Sequence, residues 1–139
     1  MVELFRRSVE EVFGQSFGLT AKPAETLPDT EGYAAQIPFF DGEREYAATV
    51  WMERPVLESL AEILLCEENP DESTLEDLAA EVANFIVGHA KMEASDRGLP
   101  YRMETPRFDG RKSLEEEGTT LLYDIGGRRV AVQLKETNG

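Results

Sequence analysis

Apolar residues recur along this chain with two periods, and the switches between them mark out its elements. Residues 3 to 15 put Phe5, Val9, Val12 and Phe13 on one helical face and Glu10 and Glu11 opposite, which predicts an amphipathic helix loosened at its end by Gly14 and Gly18. Residues 19 to 31, with Pro23, Pro28 and Asp29, start as a short strand and become a loop. Residues 33 to 40 and 44 to 52 flank Asp41-Gly42 and read as a hairpin, since Asp-Gly is a strong tight-turn signal. Pro38 implies an edge position or a bulge in the first of these strands. Arg54-Pro55 opens a helix with a broad apolar face of Val56, Leu57, Leu60, Ala61, Leu64 and Leu65. After an acidic connector, Ser73-Thr74-Leu75-Glu76 has capping-box form and starts a long helix, which Gly98 and Pro100 end near Arg97. Residues 101 to 108 predict a strand followed by Asp109-Gly110. Residues 119 to 125 and 128 to 134 predict a second hairpin around Gly126-Gly127. The order of helix, strands, two helices and strands points to an α+β fold: a mainly antiparallel sheet with helices packed on one face.

The long helix carries the most informative pattern. At about 100° per residue, Glu81, Asn84, Gly88 and Lys91 all fall within roughly 40° of Asp77. Leu75, Leu78, Val82, Phe85, Ile86 and His89 cluster on the opposite side. A carboxylate and a carboxamide on the outer ridge of a stiff rod are poorly placed to serve the chain's own core and well placed to reach a partner. Glu81 has no Lys or Arg three or four residues away to pair with. Gly88 keeps the ridge low; glycine in mid-helix costs about 1 kcal/mol relative to alanine and needs a reason.

Composition narrows the function classes. The 139 residues are expected to form a single domain, 1 to 139, large enough to bury a core without a disulfide or a metal staple. The net charge of −14, from 28 acidic and 14 basic residues, argues against nucleic acid and against anionic membranes as partners. No apolar run approaches membrane-spanning length, and the N-terminal residues become charged too early for a signal peptide, so a cytoplasmic protein is expected. Cys66 follows Leu64 and Leu65 and reads as a buried core thiol in a reducing compartment. The linear spacing shows no cluster suited to a metal.

Other features read more plainly as structure. His89 falls on the apolar side of its helix, so a satisfied core or interface histidine is expected rather than a catalytic one. Ser95, His89 and Asp96 can be written as a triad, but nothing brackets such a nucleophile. Gly126-Gly127 is a hairpin turn rather than a phosphate loop. Trp51 fits either a core or an interface.

Glu81-x-x-Asn84 alone is common in helices. Preceded by Asp77 and followed by Gly88, Ala90-Lys91 and the segment Thr105-Pro106-Arg107-Phe108-Asp109-Gly110, it resembles the CheC/CheX/FliY family of chemotaxis phosphatases, and its single motif is closest to CheX. The resemblance implies the CheX/CheC-like fold and an aspartyl-phosphate phosphatase acting on a CheY-like response regulator. It implies Glu81 and Asn84 as catalytic residues, with Asp77 and Gly88 as partner contacts. It implies no cofactor on this chain, because the receiver domain supplies the divalent metal, and it implies a homodimer. The alternative is a non-catalytic CheX-like module that binds a receiver or serves as a dimeric scaffold.

Overall fold

In the computed structural model, which describes residues 1–137, the long hairpin forms the centre of the sheet. Strands β2 (Glu31–Asp41) and β3 (Arg44–Glu53) pair from Gly32↔Glu53 to Asp41↔Arg44, turning at Asp41-Gly42 with Gly42 at φ 63°. The second hairpin, β6 (Thr119–Ile125) and β7 (Arg128–Glu136), turns through Gly126 and Gly127 at φ 60° and 86°, the pair of positive angles that a tight hairpin turn requires. With β1 (Lys22–Pro23) and β4 (Tyr101–Met103) at the ends, the strand order is β1-β6-β7-β3-β2-β4, and β5 (Arg107–Ser113) also pairs with β2. Every pairing is antiparallel.

Three α-helices cover one face: α1 (Val2–Glu11), α2 (Arg54–Leu65) and α3 (Glu72–Asp96). Tyr33, Ile37, Phe39, Val50, Met52, Val130 and Val132 point to that side, into the same buried cluster as Phe5, Leu57, Leu75, Val82 and Ile86. Fully burying a side chain of this size contributes roughly 1.5–3 kcal/mol. The inner stripe of α3 therefore holds that helix in place without help from its outer residues. On the other face Trp51, Ala34, Leu122 and Ala131 form a smaller cluster beneath Leu114, Ala24 and Leu27. This settles Trp51 as a core residue. Its Nε1 donates to the Lys112 carbonyl at 2.8 Å, and its indole fills the space a Cβ at Gly32 would need.

Pro38 is not on an edge strand, since β2 has strands on both sides. It lies where the outer side of β2 changes partner, from β5 (paired with residues 31 to 36) to β4 (residues 39 to 41). Its carbonyl accepts the Glu104 amide at 2.9 Å, so its missing N–H faces the gap between those strands and breaks no ladder bond. The single strand expected over residues 101 to 108 is accordingly two strands. The bulge sits in β5 instead: two steps on β2, from Tyr33 to Ala35, span three on β5, from Arg111 to Phe108, with Gly110 at φ 98°.

Other boundaries shift for local reasons. The first helix becomes a wide π-turn at Val12–Ser16, which seats Phe13 and Phe17 edge to face with centroids 5.3 Å apart. The cap of α3 is Asp71 rather than a Ser73 box: its carboxylate accepts the Thr74 amide at 2.8 Å, which holds its pKa below the usual range. Helix α2 ends in a left-handed turn at Cys66, whose thiol is exposed, so the expectation of a buried core thiol is wrong. The last turn of α2 runs past its covering neighbours and leaves Leu64 and Leu65 37% and 47% exposed. Among the described residues, no helix is long and apolar enough to cross a membrane.

Candidate functional site

Helix α3 has 25 residues, about 37 Å at 1.5 Å per residue. It is fixed at its first turn. Tyr33 donates to Glu72 Oε2 at 2.7 Å, Arg54 Nη1 lies 2.5 Å from Glu72 Oε1, and Arg111 Nη1 is 3.7 Å from Oε2. The Tyr33 hydroxyl, with Arg54 and Arg111 behind it, holds the Glu72 carboxyl below its ordinary pKa. Midway along, the buried Ser8 hydroxyl of α1 donates to the Ile86 carbonyl at 2.5 Å. A rod tied at its root and its middle holds its outer side chains in constant register.

The outer ridge forms as the spacing predicts. Asp77, Glu81 and Lys91 are exposed, and Asn84 and Gly88 are half-buried. The side-chain bonds of α3 residues run through Glu72, His89 and Glu93. Among the described residues, the side chains of Asp77, Glu81, Asn84 and Lys91 make no hydrogen bond or ion pair. Nor is the Asn84 carboxamide among the buried atoms that lack a partner, so it is open to solvent. A carboxylate and a carboxamide three residues apart, both unsatisfied from within, can accept from or donate to a second molecule at no cost to this one. A Cβ at Gly88 would meet no atom outside its own helix closer than Met103 Sδ, at 4.0 Å, so internal packing does not require this glycine.

Two shallow grooves flank the ridge. The first, of about 500 Å³, is lined by Leu64, Leu65, Glu67, Thr74, Asp77, Leu78, Glu81 and Phe85. The second, of about 450 Å³, includes Asn84, Phe85, Gly88, His89, Lys91, Met92 and Met103. Phe85 belongs to both. It is 42% exposed rather than core, because its ring leans on Phe17 at 6.1 Å and beyond that meets solvent. Sequence reasoning missed these apolar shoulders. One signal was available: Ile63, Leu64 and Leu65 are consecutive, and three successive helical residues cannot all face one stripe.

His89 is half-buried between α1 and α3, with Nε2 2.9 Å from Glu11 Oε2, while its Nδ1 has no partner. It is an interface histidine, only half satisfied. Folding brings Glu11 beside His89 and Glu93, a grouping that the linear spacing does not show. The described structure offers no hydrogen bond from Ser95 to His89, and His89 pairs with Glu11 rather than Asp96.

Several solved structures share this architecture. The chemotaxis protein CheX from Vibrio vulnificus superposes with a TM-score of 0.79 at 17% identity, covering 98% of this chain and 95% of that one. A CheC-like superfamily protein from Shewanella sp. PV-4 gives 0.78 at 19% identity, covering 99% and 97%. The CheX-CheY-BeF3-Mg+2 complex from Borrelia burgdorferi gives 0.69 at 16%, covering 99% and 97%. At these identities the likeness shows the fold. No curated protein matches the sequence. The model of the chemotaxis phosphatase CheX family matches residues 33–120, from the central hairpin through the whole of α3 and its ridge to the start of β6. Since that match spans more than half of the chain, the protein belongs to the CheX chemotaxis phosphatase family.

Proposed function

We propose that this chain binds a CheY-like response regulator and hydrolyses its phospho-aspartate. The observation that carries the reading is the unpartnered Glu81–Asn84 pair on an anchored helix, within a chain of the CheX family. In support, the Borrelia burgdorferi protein that shares this fold is in a complex with CheY, BeF3 and Mg+2.

The residue types suit the chemistry. Hydrolysis of an acyl phosphate needs a water in line with the bond that breaks, so that its oxygen bonds to phosphorus as the aspartyl carboxylate leaves. The receiver supplies the aspartate, the divalent metal and a lysine; this chain supplies the aim. The Asn84 carboxamide accepts a hydrogen bond from the water through its oxygen and donates through its NH2, and it does not titrate. Glu81 pairs with the receiver's lysine and sets the register of α3. Asp77 makes a peripheral contact, and Gly88 lets the partner's backbone come close. No cofactor on this chain enters the reaction. The homodimer implied by the family is part of the same reading, and sedimentation at micromolar concentration tests it.

The deciding experiment mixes the chain with a phosphorylated receiver and follows phosphate release. Asn84→Ala keeps the fold and the receiver contact and loses activity by roughly 10²-fold, the cost of a misplaced reactant. Glu81→Ala weakens both binding and turnover. Release rates unchanged in both variants would refute the proposal, and receiver binding without any release would assign the chain to the non-catalytic alternative.

A further inference from the structure

Beyond the ridge, where α1 ends against α3, the fold gathers a histidine and two carboxylates. His89 and Glu93 are four residues apart and share one face of α3. Glu11, the last residue of α1, faces them. One ligand atom from each lies within 4.8 Å of the other two. His89 Nε2 lies 2.9 Å from Glu11 Oε2. Nδ1 is buried with no partner, and so is Glu93 Oε2. Only three buried side-chain atoms among the described residues lack a partner, and the third, Arg129 Nε, belongs to β7, where that side chain pairs with Asp124. Two orphaned polar atoms within one small cluster call for positive charge or for partners that the chain does not provide.

Arg7 supplies that charge loosely. Its Nη2 stands 3.5 Å from Glu93 Oε1 and 3.7 Å from Glu11 Oε1, beyond good hydrogen-bond length, and its side chain is about half exposed. It can swing into solvent without uncovering the core. One imidazole with two carboxylates is a donor set for a borderline divalent ion, and a helix that offers ligands at i and i+4 presents two of them from one rigid element.

We infer that Glu11, His89 and Glu93 bind one divalent ion of the zinc class, which clamps α1 to α3 beside the groove that holds Asn84 and Gly88. The site is independent of the phosphoryl chemistry and stands or falls separately from it. Isothermal titration of the untagged chain with Zn2+ alone, in a Cys66→Ser background that removes the exposed thiol, tests it. The expected result is one ion per chain with micromolar affinity, and a melting temperature that rises with Zn2+. His89→Gln and Glu93→Gln each weaken binding by about tenfold or more. Should His89→Gln unfold, as judged by circular dichroism, Glu93→Gln carries the test. Arg7→Ala tightens binding, because it removes the competing cation, whereas a purely structural ion-pair cluster predicts only lost stability. No binding at about 100 μM Zn2+, affinity in both glutamine variants unchanged from the parent chain, or weaker binding in Arg7→Ala would overturn the inference.

Discussion

Replacing Gly88 with alanine separates the needs of this chain from the needs of its partner. Within the fold the added methyl group meets nothing outside its helix nearer than 4.0 Å, an ordinary van der Waals distance. Position 88 lies deep inside α3, where alanine is favoured over glycine by about 1 kcal/mol. For a domain of this size, that gain should raise the melting temperature by about 3 °C. Against a receiver the same methyl group raises the ridge at the point of proposed backbone contact. Overpacking of one methyl group in a close interface costs about 1–3 kcal/mol, which is roughly 5- to 150-fold in kcat/KM. The loss should fall on KM, because docking is impaired while the water-aiming carboxamide at Asn84 is untouched. Thermal melts and phosphate release across a range of receiver concentrations give both quantities from one preparation. A more stable protein with unchanged KM would refute the role of Gly88 in close approach. A less stable one would show that the chain itself requires the glycine.

Three further outcomes test the packing and electrostatics. Gly32→Ala forces its methyl group into the Trp51 indole, so it should cost about 2–3 kcal/mol and disturb the near-ultraviolet dichroism of that tryptophan; an unchanged melt would show that the second cluster is loose. Burial, with Glu10 nearby, pushes the Tyr123 phenol from an ordinary 10 up to about 12. The folded state favours the neutral form, so this contribution is complete below pH 10 and is lost as pH rises towards 12. Tyr123→Phe should flatten the alkaline fall in stability by on the order of 1–2 kcal/mol, measured by denaturant titration across that window. Asp71→Ala removes the cap of α3 and should lower the melting temperature, by less at acid pH, where the lowered carboxyl pKa means that the stabilisation fades as the group is protonated.

The parts of the fold legible in the sequence are those governed by local geometry. Asp41-Gly42 and Gly126-Gly127 announce turns because few residues accept their backbone angles, and alternation in β3 and β7 follows from a half-buried strand. The ridge of Asp77, Glu81 and Asn84 could be drawn from angular spacing alone, since a straight helix leaves no freedom in which residues share a side. What spacing does not report is how far the covering neighbour extends. Leu64, Leu65, Cys66 and Phe85 read as covered because they are apolar and periodic, yet α2 outruns its cover and Phe85 has support on one side only. Asp71 caps in place of the Ser73 box because its carboxylate reaches the Thr74 amide, two residues before the Glu76 amide that a Ser73 cap would serve, and the helix has already begun at Glu72. The meeting of Glu11 with His89 and Glu93 depends on how α1 crosses α3, which no local pattern encodes.

The switch of β2 from one neighbour to another at Pro38 bears on how the protein behaves when crowded. The longest strands, β2, β3 and β7, are all interior, so their amides and carbonyls are already spoken for. At one margin stands a two-residue strand, and at the other the three-residue β4 and then β5, kinked at Gly110 and bearing Arg107, Arg111 and Lys112. Lateral addition of foreign backbone thus finds only short, bent or cationic starting points. Concentrated solutions of this acidic chain should resist fibrous association for that reason, even with apolar shoulders displayed on the helical side.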